Sequence, residues 1–144
     1  MKRTGEIVLS IIGAFLYALM AGVGVFMIWL ENNRDLVQGT LQDASEQNPD
    51  APPINMADLN NALDFMGNSG TYLTIISIIA IIVGIISILL VKGNKKPKVA
   101  GIILIVTALA IAIFTFGGGI LAGIFYLIAG IMCLVRKPKK IIYE

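Results

Sequence analysis

The sequence predicts an all-α membrane protein, a four-transmembrane-helix bundle with a helical extracytoplasmic loop between spans 1 and 2. Three observations carry this reading. Only 14% of the 144 residues are charged, while 57% are apolar, against about 25% charged residues in a soluble domain. The charges are missing from long runs rather than thinned evenly. Ten of the eleven basic residues fall into three clusters that a four-span chain places on one side, facing a long acidic loop on the other. At this length a single integral membrane domain, 1–144, is the natural count.

The first run, residues 7–30, holds 24 residues without a charge. At about 1.5 Å per residue it crosses a hydrocarbon core of about 30 Å with some tilt. Met1-Lys2-Arg3 resembles the start of a signal peptide. The apolar run is longer than the roughly 7–15 residues of a signal core, however, and no small-x-small site follows it. It ends in Trp29-Leu30-Glu31-Asn32, an aromatic anchor meeting a polar boundary, so the segment is expected to stay attached.

The second span, 71–91, is rich in isoleucine and opens with Tyr72 at an interface. Residues 99–135 form one apolar stretch interrupted by Gly117, Gly118 and Gly119. Thirty-seven residues are too many for one crossing. The glycines permit a reversal, giving spans at 99–116 and 119–135, with a re-entrant hairpin as the alternative.

The basic clusters are Lys2 and Arg3; Lys92, Lys95, Lys96 and Lys98; and Arg136, Lys137, Lys139 and Lys140. The loop 31–70 holds Arg34 against seven acids: Glu31, Asp35, Asp43, Glu46, Asp50, Asp58 and Asp64. The positive-inside rule then places both termini, the inner loop 92–98 and the basic tail 136–144 in the cytoplasm of a multi-pass cell-membrane protein.

In the outer loop, Leu36 or Val37, Leu41 and Ala44 fall at helical spacing, so the first span is expected to continue outward until Asn48-Pro49-Asp50-Ala51-Pro52-Pro53 interrupts it. Asn55 is an N-cap candidate for a second helix, whose apolar stripe is Met56, Leu59, Leu63 and Met66. Gly67 is expected to end that helix, with Asn68-Ser69-Gly70 leading flexibly into the second span. The stripe is either a contact surface for a partner or a lid on the protein's own helix ends. The loop's acids lack the spacing and closing glutamate of a calcium loop.

Small residues mark helix contacts, because lipid supplies no hydrophobic drive for helices to associate. The candidates are Ser10, Ala14, Ala18 and Gly22 in the first span, Ser77, Ala80, Gly84 and Ser87 in the second, and Gly119 and Gly123 in the fourth. They serve either packing within one bundle or a homo-oligomer face.

No enzyme is expected. The chain has no histidine and one cysteine, Cys133, which excludes a Cys/His zinc site and an internal disulfide. No catalytic, cofactor-binding or metal residue stands out, and no cofactor is expected. No Asp, Glu, Lys or Arg lies inside the spans, whereas ion-coupled transporters keep ionisable groups at membrane depth. Glu6, at the boundary one turn from Lys2 and Arg3, is expected to sit in an interfacial ion pair.

Two stretches carry a family resemblance: Lys2-Arg3-Thr4-Gly5-Glu6-Ile7-Val8-Leu9 through Ile12-Gly13, and Gly118-Gly119-Ile120 through Leu127-Ile128-Ala129-Gly130-Ile131-Met132 to Leu134-Val135-Arg136-Lys137. Together they resemble the domain of unknown function 4064 family of small membrane proteins from Gram-positive bacteria. The resemblance implies a source and a topology but no activity and no catalytic residues.

The expected role is a non-enzymatic accessory or regulatory protein of the bacterial cell envelope. Its partners are the lipid bilayer and another membrane or envelope protein, with no nucleic acid. A small oligomeric transporter or pore is the alternative.

Overall fold

A computed structural model describes residues 3–92 and 95–136 of the chain. Lys2, Lys137, Lys139 and Lys140 of the basic clusters lie outside the described residues. The described residues form five helices and no strand: α1 (Thr4–Asn32), α2 (Arg34–Gln47), α3 (Met56–Val91), α4 (Pro97–Phe114) and α5 (Ile120–Val135). α1, α3 and α4 are long and apolar enough to cross a membrane, and α5 is a shorter apolar helix of 16 residues.

α1 extends beyond the charge-free run at both ends, because Thr4, Gly5 and Glu6 join its first turn. Asn33 breaks it from α2. The Asn33 backbone N–H and side-chain amide both donate to the Trp29 carbonyl, at 3.0 and 2.8 Å, and the Asn33 carbonyl accepts from Leu36 and Val37. The chain therefore continues as a helix with no buried residue. It stops at Asn48, whose backbone is extended, one residue before the first proline.

α3 corrects the expected stop at Gly67. The helix starts at the expected cap, where the Asn55 side chain accepts from the Ala57 N–H at 3.0 Å. It then runs unbroken through Gly67-Asn68-Ser69-Gly70 for 36 residues, about 54 Å. The hydroxyls of Thr71 and Thr74 donate back to the Gly67 and Gly70 carbonyls, at 2.9 and 2.8 Å. The glycines serve close packing instead of termination. A side chain at Gly67 would overlap the Glu31 carboxylate, and one at Gly70 would stand 2.6 Å from the Gly24 carbonyl oxygen. Reciprocally, a side chain at Gly24 would lie 2.7 Å from the Gly70 oxygen, so α1 and α3 touch backbone to backbone there.

The reversal between α4 and α5 lies where expected but is built differently. Phe116 (φ 47°) and Gly117 (φ 95°) take the left-handed conformation. Gly119 has φ −89° and is needed for space, since a Cβ there would approach Ile111 to 2.9 Å. Thr115 closes the turn: its hydroxyl donates to the Ile111 carbonyl at 2.7 Å and accepts from the Gly119 N–H at 3.0 Å. α4 and α5 then pack along each other. A second glycine crossing holds them, because a Cβ at Gly101 would lie 2.7 Å from the Gly130 oxygen and one at Gly130 2.9 Å from the Gly101 oxygen.

The chain forms two compact units. The first comprises Met1–Met20 and Ile76–Glu144, and the second Ala21–Ile75. The core of the first is Tyr17, Ala80, Leu104, Ala108, Ile111, Ala122, Tyr126 and Ala129.

Candidate functional site

In the first unit Arg3, just before α1, and Glu6, Ser10, Gly13 and Tyr17 within it are buried, spaced alternately three and four residues apart. This spacing keeps one stripe facing inward. The predicted stripe Ser10, Ala14, Ala18, Gly22 has a uniform spacing of four, which advances about 40° around the helix per step. Ser10 is buried and Ala14 meets the Gly84 position, but Ala18 and Gly22 are exposed, and a Cβ at Gly22 would meet nothing within 4 Å. Among the described residues these last two therefore meet no partner helix. Ser77, Ala80, Gly84 and Ser87, which alternate three and four, are all buried, as are Gly119 and Gly123.

At one end of this face lies a charged cluster. Glu6 is fully buried, with Arg3 Nη1 3.7 Å from Oε1 and Arg136 Nη1 3.3 Å from Oε2. Arg3 also donates to the carbonyls of Cys133, at 3.4 Å, and Arg136, at 2.9 Å. These are end carbonyls of α5, which lack helical partners and carry the negative end of the helix dipole. Glu6 thus pairs with arginines from both ends of the sequence, and the second of these, Arg136, is 130 residues away.

Deeper in the same unit Tyr17 and Tyr126 pack ring against ring, with centroids 5.0 Å apart and planes tilted by 58°. The Tyr126 hydroxyl donates to the Ala80 carbonyl at 2.7 Å. Gly13 and Gly84 make this possible, since a side chain on either would overlap Tyr126. The Tyr17, Ser77 and Ser87 hydroxyls are buried with no hydrogen-bond partner among the described residues.

The second unit holds the predicted contact stripe. Leu63 is buried, and Met56, Leu59 and Met66 are half-buried. Asn60 and Asp64, on either side of Leu63, both hold α2: Gln38 donates to Asn60 at 2.6 Å and Arg34 to Asp64 at 2.7 Å. Arg34 also lies 3.7 Å from Glu31. The Asp64 hydrogen bond holds the Arg34 guanidinium more firmly in its charged form. Two-thirds or more of Phe65 and Tyr72 is exposed, and the stacked pair Phe26 and Trp29 is also exposed. Gly24, Gly70, Gly101 and Arg136 went unmarked as contact residues in the sequence. A small residue three positions earlier, Ala21 and Gly67, hints at Gly24 and Gly70, but Gly101 has none at that interval.

With this geometry in place, comparison with known proteins gives one result. A family model described as protein of unknown function (DUF4064) matches residues 2–115, most of the chain. The chain belongs to the DUF4064 family. The match takes in Glu6, Tyr17 and the α1 and α3 faces, whereas the resembling stretch from Gly118 onward lies beyond the matched residues. No curated protein and no solved structure matches this DUF4064 chain.

Proposed function

We propose that this DUF4064 protein is a non-enzymatic accessory or regulatory protein of the bacterial cell membrane. It crosses the bilayer four times with both termini in the cytoplasm and binds another membrane or envelope component through its outer loop. The observation that supports this reading best is the braced outer hairpin. α2 is pinned to the first turns of α3 by Arg34–Asp64 and Gln38–Asn60, and the pair presents the exposed apolar side chains of Leu36 and Phe65 among acids. Fixing such a surface in advance lowers the ordering cost of binding. α3 at about 54 Å exceeds a core of about 30 Å, so its first turns project from the bilayer in this reading.

Two experiments test it. With Cys133 changed to Ala, an impermeant maleimide applied to intact cells should label Asp50→Cys and spare Lys95→Cys; the reverse pattern removes the topology. A photo-crosslinking residue at Phe65 should capture a discrete partner in native membranes that an equivalent at Ile113 does not. Identical captures at both positions end the outer-loop reading.

A transporter or pore formed by oligomers draws on the fully buried Glu6. Both of its oxygens face arginines, which suits a structural ion pair better than a carboxylate open to a transported ion. Ion flux in proteoliposomes that is lost in Glu6→Gln would restore the transporter.

A further inference from the structure

The turn joining α4 to α5 is apolar on its surface and closed along its backbone. Phe116 is 99% exposed, and more than two-thirds of Ile113, Phe114 and Leu121 is exposed. No charged residue lies between Val99 and Val135, so nothing at the turn holds it in water. Phe116 also has φ 47°, a left-handed conformation that glycine takes freely and phenylalanine does not. Three glycines follow it, yet this position carries a ring that touches almost nothing in the chain. What such a ring contributes comes from outside the chain.

The backbone narrows what can lie there. A turn in water can leave its donors to the solvent, whereas in lipid each N–H needs a partner within the chain. Here six consecutive N–H groups, Thr115 to Ile120, all donate internally. Those of Thr115, Phe116, Gly117 and Gly118 reach the carbonyls of Ile111, Ile113, Ala112 and Thr115, at 2.9–3.4 Å. Gly119 donates to the Thr115 hydroxyl at 3.0 Å, and Ile120 to the Gly117 carbonyl at 3.1 Å. Among the described residues the carbonyls of Phe114, Phe116 and Gly118 and the first-turn N–H groups of Leu121 and Ala122 stay open. Those few groups need water close by, which places the turn at the edge of a hydrocarbon layer and not at its centre. The helix lengths agree. The 18 residues of α4 rise about 27 Å from Pro97, beside Lys96 and Lys98, and the 16 of α5 span about 24 Å from Val135, beside Arg136. A hydrocarbon core is about 30 Å thick, so a hairpin with its basic ends at one surface just reaches the other.

We propose that residues 113–121 form a lipid-binding tip. The Phe114 and Phe116 rings insert among the acyl chains at the membrane edge opposite Lys96 and Arg136, and the open carbonyls accept from water at the headgroups. The proposal rests on the four-span reading given above. Lipid fits the tip better than a protein in water does, because the patch offers such a partner no charge and its one hydroxyl, that of Thr115, is already bonded.

The test uses the full chain in phosphatidylcholine–phosphatidylglycerol vesicles, with Trp29→Phe removing the single tryptophan and Phe116→Trp placing a probe at the tip. Lipids brominated near the headgroup should quench this indole more strongly than lipids brominated near the chain ends. Iodide on both sides of the membrane should quench it about fivefold less than it quenches N-acetyl-tryptophanamide. Phe114→Trp in the same background, at the end of α4 and without the left-handed backbone, should behave alike. Strong iodide quenching with little effect of either brominated lipid overturns the tip while leaving four spans intact. Strongest quenching from the chain ends means a re-entrant hairpin and overturns the four-span reading together with the tip. Weak quenching by all three means that a second copy of the chain covers the turn, which also overturns the proposal.

Discussion

Replacing Glu6 with Gln tests how the two ends of the sequence are held together. The substitution keeps shape and removes one charge, leaving the Arg3 and Arg136 guanidinium groups facing each other's former counter-ion. Breaking a fully buried pair costs about 3–5 kcal/mol. The two partners here are not equivalent: the Arg3 side chain is 2% exposed, whereas that of Arg136 is 42% exposed and can turn to solvent. The Arg136 share is therefore small, in the range of surface pairs. The loss is dominated by Arg3, whose bonds to the Cys133 and Arg136 carbonyls remain and soften it. The sum is about 2–3 kcal/mol, a fall in melting temperature of roughly 5–10 °C for a chain of this size. Circular dichroism at the helix band during thermal unfolding in detergent reads it. Arg136→Gln alone should cost about 1 kcal/mol or less, and in the Glu6→Gln background it should cost nothing. If Glu6→Gln melts with the parent protein, or if the two substitutions simply add, the carboxylate is not what joins α1 to the end of α5.

Other outcomes follow from the packing. Gly101→Ala and Gly130→Ala should each destabilise by about 1–3 kcal/mol, as overpacking does, while Gly22→Ala, with open space around it, should be neutral or slightly stabilising; equal effects at the three positions in thermal melts would remove the glycine crossing. Tyr126→Phe removes the bond to Ala80 and should cost about 0.5–1.5 kcal/mol, the net worth of one buried hydrogen bond, since the Ala80 carbonyl keeps its own helical bond; an unchanged melting temperature would mean that bond contributes nothing. Asp64→Asn should loosen α2 from α3 and speed limited proteolysis within residues 48–55 without altering the melting of the apolar helices; unchanged cleavage would show that Gln38 and Asn60 suffice to hold the hairpin.

Much of this arrangement was legible in the residues. Charge depletion located α1, α4 and α5 to within a few residues and the end of α3, whose start lies well before the apolar run. The Asn55 cap, the break at Asn48 and the reversal near Gly117 all rest on local backbone chemistry, which needs no tertiary contact to be read. What the residues did not reveal shares one cause. In a soluble helix the polar face announces the buried one, but in an apolar helix both faces are apolar and the periodicity carries little information. The uniform four-residue ridge ending at Gly22 therefore looked as convincing as the alternating three-and-four face that ends at Tyr17. Gly67 and Gly70 had the composition of a helix stop, yet α1 lies against their bare backbone and the helix continues through them.

By itself, then, the sequence determined that this is an all-helical chain with apolar helices, where charge is allowed, and that it falls in a family without an assigned activity. Only the tertiary structure decided which faces meet, that Gly24 meets Gly70 and Gly101 meets Gly130, and that Glu6 joins Arg136 from 130 residues away. Helix formation in an apolar segment is a local demand, satisfied within four residues. The choice of partner depends on where a side chain is absent on one helix and a backbone or a tyrosine arrives from another, and no single segment contains both halves of that fit.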